Sequence, residues 1–375
     1  MLRSSGSKPV SDEASPVAIG AGPVAALEVV HGPVDALLQQ FLSERLLDLA
    51  ALDAGLEPVG REVAALVRAS GKRLRPAFVY WGHRATGADH LDGVFGPAAA
   101  VELLHTFALI HDDVMDHSPE RRGRPAVHEA LARTHRQEGL VGDPAWFGVG
   151  GAILAGDLAF VWADQLLDNA DLPAAAIEQA RRVFTELRME VMAGQYLDLR
   201  LAGRETAAEG ESLRVALLKS GRYTVTRPLQ LGAAIGGGSC ALEGALCVYG
   251  DATGVAFQMR DDILGLFGDP SFTGKGSLSD LREGKRTVLM LRALRRARPV
   301  ERRVLSESLG DRELDDAAAA QVRQVVTDCG ALEDVERLIA EQRAIASRAL
   351  EPAGVPASAR EALEELADFA AYRAA

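Results

Sequence analysis

Two acidic stretches carry the residue types and spacing of a metal site. In LIHDDVMD, Asp112 and Asp116 are four residues apart, which on a helix projects both carboxylates from one face about one turn apart. In FQMRDDILG, Asp261 and Asp262 likewise follow an apolar run. A salt-bridged surface helix would surround such acids with bases, yet no Lys or Arg lies between residues 85 and 120. Two acidic clusters, each at the end of an apolar helix, suit carboxylates converging across a cavity onto hard divalent cations. Mg²⁺ takes one or two carboxylates per ion and completes its shell with water and phosphate oxygens.

The basic residues supply the complementary half. Of 41 Lys and Arg residues only five are lysine: Lys8, Lys72, Lys219, Lys275 and Lys285. The last four sit in GKRLRP, LLKSGRYT, TGKGS and DLREGKRT, each with glycine or further bases beside it. A chain that uses arginine nearly everywhere keeps lysine where a compact ammonium serves an anion better than a planar fork. Just after the first acidic stretch comes SPERRGRP. The Ser118-Pro119 break is expected to end the preceding helix near Pro119 and let Arg121 and Arg122 turn back over a cavity mouth. The acidic and basic clusters then read as two halves of one diphosphate site, not as partners for each other. A ligand matching all the signs has a diphosphate head, bound Mg²⁺ and a hydrocarbon tail.

The elements that must position these residues are helical. Among 375 residues, 48% are hydrophobic, 25% charged and only 5% aromatic. Ala, Leu, Arg and Glu are abundant, a balance that favours helix. Gly/Pro breaks at Glu57-Pro58, Gly71, Gly87, Gly142-Asp143-Pro144, Leu172-Pro173 and Gly268-Asp269-Pro270 separate helical patterns, and no strand pattern stands out. The expectation is a disordered tail over residues 1–22 and one all-α domain over 23–375, a bundle of about a dozen helices. The net charge of −12 argues against nucleic acid and anionic membrane surfaces as partners. Cys240, Cys247 and Cys329 are an odd number and read as free thiols in a reducing, cytoplasmic setting. MLRSSGSKPVSDEASP has no apolar signal core, and the longest uncharged run, residues 228–242, is too short to span a bilayer.

Taken in order and spacing, GKRLRP, LLHTFALIHDDVMDHSPERRGRPAVH, GQYLDL, LLKSGRY, FQMRDDILGLFGD and DLREGKRT give a chain that resembles the trans-isoprenyl diphosphate synthase (polyprenyl synthetase) family over roughly residues 30–370. The resemblance implies an all-α fold around a deep apolar cavity, a homodimer, and three Mg²⁺ ions per active site. It implies that Asp112 and Asp116 form the first metal motif and Asp261 and Asp262 the second, with Asp261 favoured as direct ligand. Arg121 resembles the arginine that grips the allylic diphosphate, joined by Lys219, Ser220, Gln258, Lys275 and Lys285. Lys72, Arg75, His105 and Arg122 resemble the isopentenyl diphosphate set, and Gln195 and Asp198 face the reacting centre. Two departures stand out: Gly265 replaces the usual third aspartate of the second motif, and Ser220 stands where threonine is common. The implied reaction is ionisation, condensation and elimination, with leaving-group electrostatics supplied by metal and bases.

The same resemblance places the chain-length floor just before the first motif, at Phe107, Ala108 and Leu104. One aromatic with a small neighbour resembles geranylgeranyl (C20) synthases; farnesyl (C15) or longer products are the alternatives. An ideal wheel sets Ala108 closer to the Asp112 face than Phe107, so the wheel alone does not support Phe107. A class I terpene cyclase shares DDxxD but would carry an NDxxSxxxE-type motif, and the chain's single asparagine, Asn169, lies in DNADLP. A non-catalytic synthase subunit would be expected to lose a metal motif. TGKGS fails as a P-loop because Gly276 stands where Ser or Thr is needed.

Overall fold

A computed structural model describes residues 24–69, 71–89, 92–204, 206–268 and 278–374. The expected tail at 1–22, Asp269 and Lys275 lie outside them. The chain runs through α1 (Ala25–Leu52), α2 (Glu57–Arg68), α3 (Leu74–Ala85), α4 (Phe95–Met115), a short hairpin of β1 (Glu120–Arg121) and β2 (Arg124–Pro125), α5 (Val127–Gln137), α6 (Pro144–Asp168), α7 (Ala174–Ala202) and α8 (Glu209–Val215). A π-helical segment, Ala216–Thr226, leads into α9 (Arg227–Ile235) and α10 (Cys240–Phe267). Then follow α11 (Ser279–Arg282), α12 (Val288–Arg296), α13 (Pro299–Ser308), α14 (Asp316–Asp328), α15 (Ala331–Leu350) and α16 (Ala357–Tyr372). The all-α expectation holds. Among the described residues the helices outnumber the expected dozen, because short ones such as α8 and α11 are too brief to show a periodic pattern.

Local chemistry explains several boundaries. Asp143 accepts a hydrogen bond from Ala145 N with Pro144 in the first turn of α6, and Ser239 accepts one from Leu242 N to open α10. The end of α4 departs from the sequence expectation. Asp116 caps the helix, His117 takes a left-handed φ of 54°, and Ser118 N donates to Asp113 O at 2.9 Å. That closure from the second residue beyond the cap stops the helix before Pro119 is reached. RRGRP then folds as the hairpin, with Glu120 opposite Pro125 and Arg121 opposite Arg124. Its two turn residues, Arg122 and Gly123, both have positive φ (54° and 70°), as a two-residue hairpin turn requires.

Two apolar clusters fill the interior. One gathers α1–α7, α9, the first half of α10, the end of α15 and α16; the other gathers the second half of α10 with α11–α14 and the start of α15. α10 thus ties both together. The α4 and α6 segments are both long and apolar enough to cross a membrane by length and composition, but they are buried to different degrees. The window in α4 is 72% buried, as befits a core helix, and that in α6 only 33%.

Arg73 in GKRLRP touches the cavity but is tied up by the protein's own acceptors. It is 5% exposed, starts α3 with a left-handed φ of 50°, and donates to Asp35 (2.8 Å), Glu102 (2.8 Å) and Val67 O (3.0 Å). Removing it leaves the buried Glu102 carboxylate uncompensated, a loss of about 3–5 kcal/mol. Arg73→Ala is therefore expected to melt well below wild type in a thermal scan, whereas Arg75→Ala, at the cavity, should melt close to it.

Candidate active site

The two acidic motifs line one cavity of about 1830 Å³. Of the sequence candidates, Lys72, Arg75, His105, Phe107, Ala108, Asp112, Arg121, Arg122, Gln195, Asp198, Lys219, Ser220, Gln258, Asp261, Asp262 and Lys285 lie on its wall. Leu104 does not: it is fully buried in the core. Asp116 sits just behind the wall, its Oδ2 3.5 Å from Lys285 Nζ.

α4 delivers Asp112 at its last turn, where three donors from three other elements meet it. Gln195 Nε2 on α7 is 3.1 Å from Oδ1, Lys219 Nζ is 3.4 Å from Oδ1, and Arg121 Nη2 is 3.4 Å from Oδ2. Lys219 also pairs with Asp198 at 2.7 Å. Lys219 can reach both because the π-helical segment is clamped tightly between α7 and α10. A Cβ on Gly194 would fall 2.4 Å from the Lys219 backbone, and one on Gly254 2.3 Å from Gly221 Cα. Only glycine permits this approach. Burial works against the Lys219 charge, but Asp112 and Asp198 outweigh it and hold its pKa above the usual lysine value.

Arg121 alters the expected picture of the two charge clusters. Its Nε donates to Asp113 Oδ1 at 2.8 Å and its Nη2 bonds the same oxygen, so Asp113 and Arg121, both buried, are direct partners. The expectation that the acidic and basic clusters do not pair is corrected here. Asp113, one residue beyond Asp112, points off the metal face and anchors the arginine, which keeps one edge toward Asp112. Arg122 turns away and donates to Ala69 O at 2.7 Å, capping the end of α2.

On α10 the second motif divides. Asp261 is partly open (side chain 44% exposed) and pairs with Arg373, whose guanidinium also stacks 4.0 Å from the Phe257 ring centroid. Asp262 is buried and accepts from Gln258 Nε2 at 2.7 Å. Burial pushes the Asp262 carboxyl up to about 8, with Asp280, Asp261 and Asp198 adding repulsion against the Gln258 hydrogen bond. Because this folded value lies above the unfolded one, the native state binds more protons between the two. Stability therefore falls as pH rises through that window, from about 4 to about 8. Metal-free wild type should lose melting temperature relative to Asp262→Asn across that range, and parallel melting profiles would contradict the assignment.

Further cationic residues line the cavity. Arg75 lies 4.6 Å over the Tyr223 ring and donates to Thr224 Oγ1 at 2.9 Å, while Lys72 Nζ is 5.1 Å from the Phe369 ring centroid. His105 Nδ1 is 3.2 Å from the Tyr223 hydroxyl. Burial, then the charges of Arg75, Arg122 and Arg121, keep His105 well below its ordinary pKa, so it serves as a neutral hydrogen-bonding group. Deeper in, the Phe107 ring packs edge-on against Phe160 of α6 (5.0 Å) and against His111 (4.7 Å).

Asp113, Tyr223, Asp280 and Arg373 belong to the site although sequence reading passed over them. Asp113 was legible as the residue beside Asp112; Arg373 carried no local signal, being 112 residues from its partner Asp261.

The donor set fits a hard divalent cation. Every candidate ligand is a carboxylate, and Asp116 Oδ2 is buried with no hydrogen bond. An ion held by these carboxylates would complete its shell with phosphate and water, as Mg²⁺ does. Bound there, a cation would neutralise diphosphate charge.

The Polyprenyl synthetase family model matches residues 58–327. A short chain isoprenyl diphosphate synthase from Methanothermobacter thermautotrophicus is 35% identical over 82% of this chain and 88% of its own. A geranylgeranyl diphosphate synthase from Methanosarcina mazei is 34% identical over 73% and 77%. The crystal structure of geranylgeranyl pyrophosphate synthase from Corynebacterium glutamicum, complexed with isoprenyl diphosphate and magnesium, superposes with a TM-score of 0.87 at 37% identity, covering 93% of this chain and 99% of that one. An all-α fold with two facing acidic motifs and a cationic wall defines an isoprenoid synthase type. The chain belongs to the polyprenyl synthetase family.

Proposed function

We propose that this prenyltransferase condenses isopentenyl diphosphate with allylic diphosphates (dimethylallyl, geranyl and farnesyl) and stops at geranylgeranyl diphosphate. The observation that carries the reading is a single cavity lined from both acidic motifs, with one basic set, Lys219, Lys285 and Arg121, on the first motif and a second, Lys72, Arg75, His105 and Arg122, elsewhere on its wall. The first set suits the departing diphosphate with three Mg²⁺ ions, held by Asp112, Asp116, Asp261 and Asp262; the second suits the diphosphate of the attacking alkene. Arg121, Lys219 and Lys285 stabilise the diphosphate as it leaves, and Lys275 joins them in this reading. Gln195 and Asp198 flank the reacting carbon, and apolar walls exclude water from the allylic cation. The proton lost in elimination goes to the departed diphosphate. Phe107, braced by Phe160, supports a C20 stop.

Residues 23–375 act as one domain in this reading, supported by α10 running through both apolar clusters. A homodimer is supported by the apolar outer stripe of α6, where Trp146, Leu154 and Val161 are 73, 65 and 59% exposed, flanked by Met189 and Tyr196 of α7. Three free thiols support the cytoplasm.

Product analysis of the purified chain with C5, C10 and C15 allylic diphosphates, with and without isopentenyl diphosphate, tests the reading. Geranylgeranyl diphosphate formed only with isopentenyl diphosphate is expected. A farnesyl or longer main product overturns the C20 assignment, a hydrocarbon formed without the co-substrate points to a cyclase, and an inert chain points to a silent subunit.

A further inference from the structure

The segment Ala216–Thr226 is a π-helix of 11 residues, a form that rarely extends beyond a single turn. It carries two parts of the site at once. Lys219 reaches Asp112 and Asp198, while Tyr223 and Thr224 hold His105 and Arg75. The segment is gripped from outside by Glu190 of α7, which does not line the cavity. Glu190 Oε1 accepts from Arg222 Nη1 at 3.0 Å and from Arg227 Nη2 at 2.7 Å, and Oε2 accepts from Arg227 Nε at 2.8 Å. These arginines are five residues apart, and Arg227 N donates to Arg222 O, the five-residue bond that defines a π-helix. In an α-helix, with 3.6 residues per turn, side chains five apart point about 140° away from each other. One carboxylate that holds both therefore favours the π register over the α register. Burial works against the Glu190 charge, but Arg227 and Arg222 outweigh it and hold the carboxyl below its usual value. Asp251 of α10 supports Arg222 from the other side, 3.0 Å from Nη2, and accepts from Thr226 Oγ1 at 2.8 Å.

We propose that Glu190 is a positioning residue for prenyl transfer: by bridging Arg222 and Arg227 it fixes the π register of Ala216–Thr226. That register sets Lys219 against the first acidic motif and Tyr223 and Thr224 against His105 and Arg75. Glu190 touches no substrate and acts only through the segment. Gly194 and Gly254 permit the close approach of the segment to α7 and α10, but a bond to particular side chains is what selects its register. Without the bridge the segment is free to tighten towards the α register, which turns Lys219 relative to Tyr223 and misplaces one or both. The proposal rests on the prenyl-transfer reading of the cavity and deepens it.

The test compares Glu190→Gln with Asp334→Asn in the full-length protein. Asp334 likewise holds two arginines, Arg296 and Arg337, but does not line the cavity. Glu190→Gln should fold, because Arg222 keeps Asp251 and Arg227 keeps Glu186 and Gln230. At a temperature where melts show every protein folded, it should lower kcat by about 10²-fold, the scale of a small misplacement that originates away from the chemistry. Amide hydrogen exchange over residues 216–227 should quicken in the same variant. Asp334→Asn should lose melting temperature with kcat and that exchange unchanged, as a merely structural acid would. Glu190→Asp, which keeps the charge on a stem one methylene shorter, should recover part of the lost kcat. A folded Glu190→Gln with kcat within about three-fold of wild type overturns the proposal. Unchanged exchange over residues 216–227 overturns it as well. Wild type that forms no prenyl diphosphate overturns the functional reading instead, and the exchange comparison then decides by itself whether Glu190 holds the register.

Discussion

Asp112→Asn is expected to lower kcat/KM by on the order of 10³-fold while leaving the fold intact. The size of the effect follows from where Asp112 sits. Its carboxylate is the one point reached by Gln195 on α7, Lys219 on the π-helical segment and Arg121 on the hairpin, each within 3.4 Å. Asparagine keeps the shape but removes the charge that both draws a divalent cation and aligns two of the cations meant for the diphosphate. Lys219 retains Asp198, and Arg121 retains Asp113, so neither base is left buried without a partner. Steady-state kinetics over a Mg²⁺ series, alongside thermal melts, would check this. A variant with normal kcat/KM and a shifted melting temperature would show that Asp112 is only a structural acceptor.

Phe107→Ala should move the main product to a longer chain. Phe107 stands on the cavity wall five residues before Asp112, and its ring is held by Phe160 and His111. Phe160 in turn lies under the Arg188 guanidinium, 5.0 Å from its ring centroid, and Arg188 pairs with Asp164 at 2.8 Å. These contacts hold the ring in place, and truncating it enlarges the cavity at that part of the wall. Some loss of stability, about 1–3 kcal/mol, is expected from the vacated aromatic contacts. Chromatography of dephosphorylated products reads the result directly, and an unchanged profile would remove Phe107 from the floor. The idealised wheel had favoured Ala108. Both residues reach the cavity, because the wall spans more of the α4 circumference than a single line of residues.

Much of the site was legible because chemistry constrains residue type more tightly than position. Paired carboxylates on apolar helices, and lysines kept in an arginine-rich chain, pointed to a metal-diphosphate site before any coordinates. The turn chemistry was less legible. Proline at 119 seemed to end α4, but His117 ends it, since a left-handed cap on an ordinary residue is stabilised by the closure around it and leaves no mark in composition. The hairpin at RRGRP was missed for a related reason: two-residue strands are too short to alternate.

By itself, then, the amino-acid sequence determined the helical class, the carboxylate and ammonium inventory and the kind of ligand they suit, all properties of local spacing and side-chain chemistry. Which arginine of RRGRP faces the acids, that Arg73 is spent on Asp35 and Glu102, and that Asp280 stands in the space at Gly265 were decided only by tertiary structure. Each depends on residues far apart in the chain being brought within a few ångströms, and on burial, which turns identical side chains into a buried brace in one place and a ligand-facing charge in another.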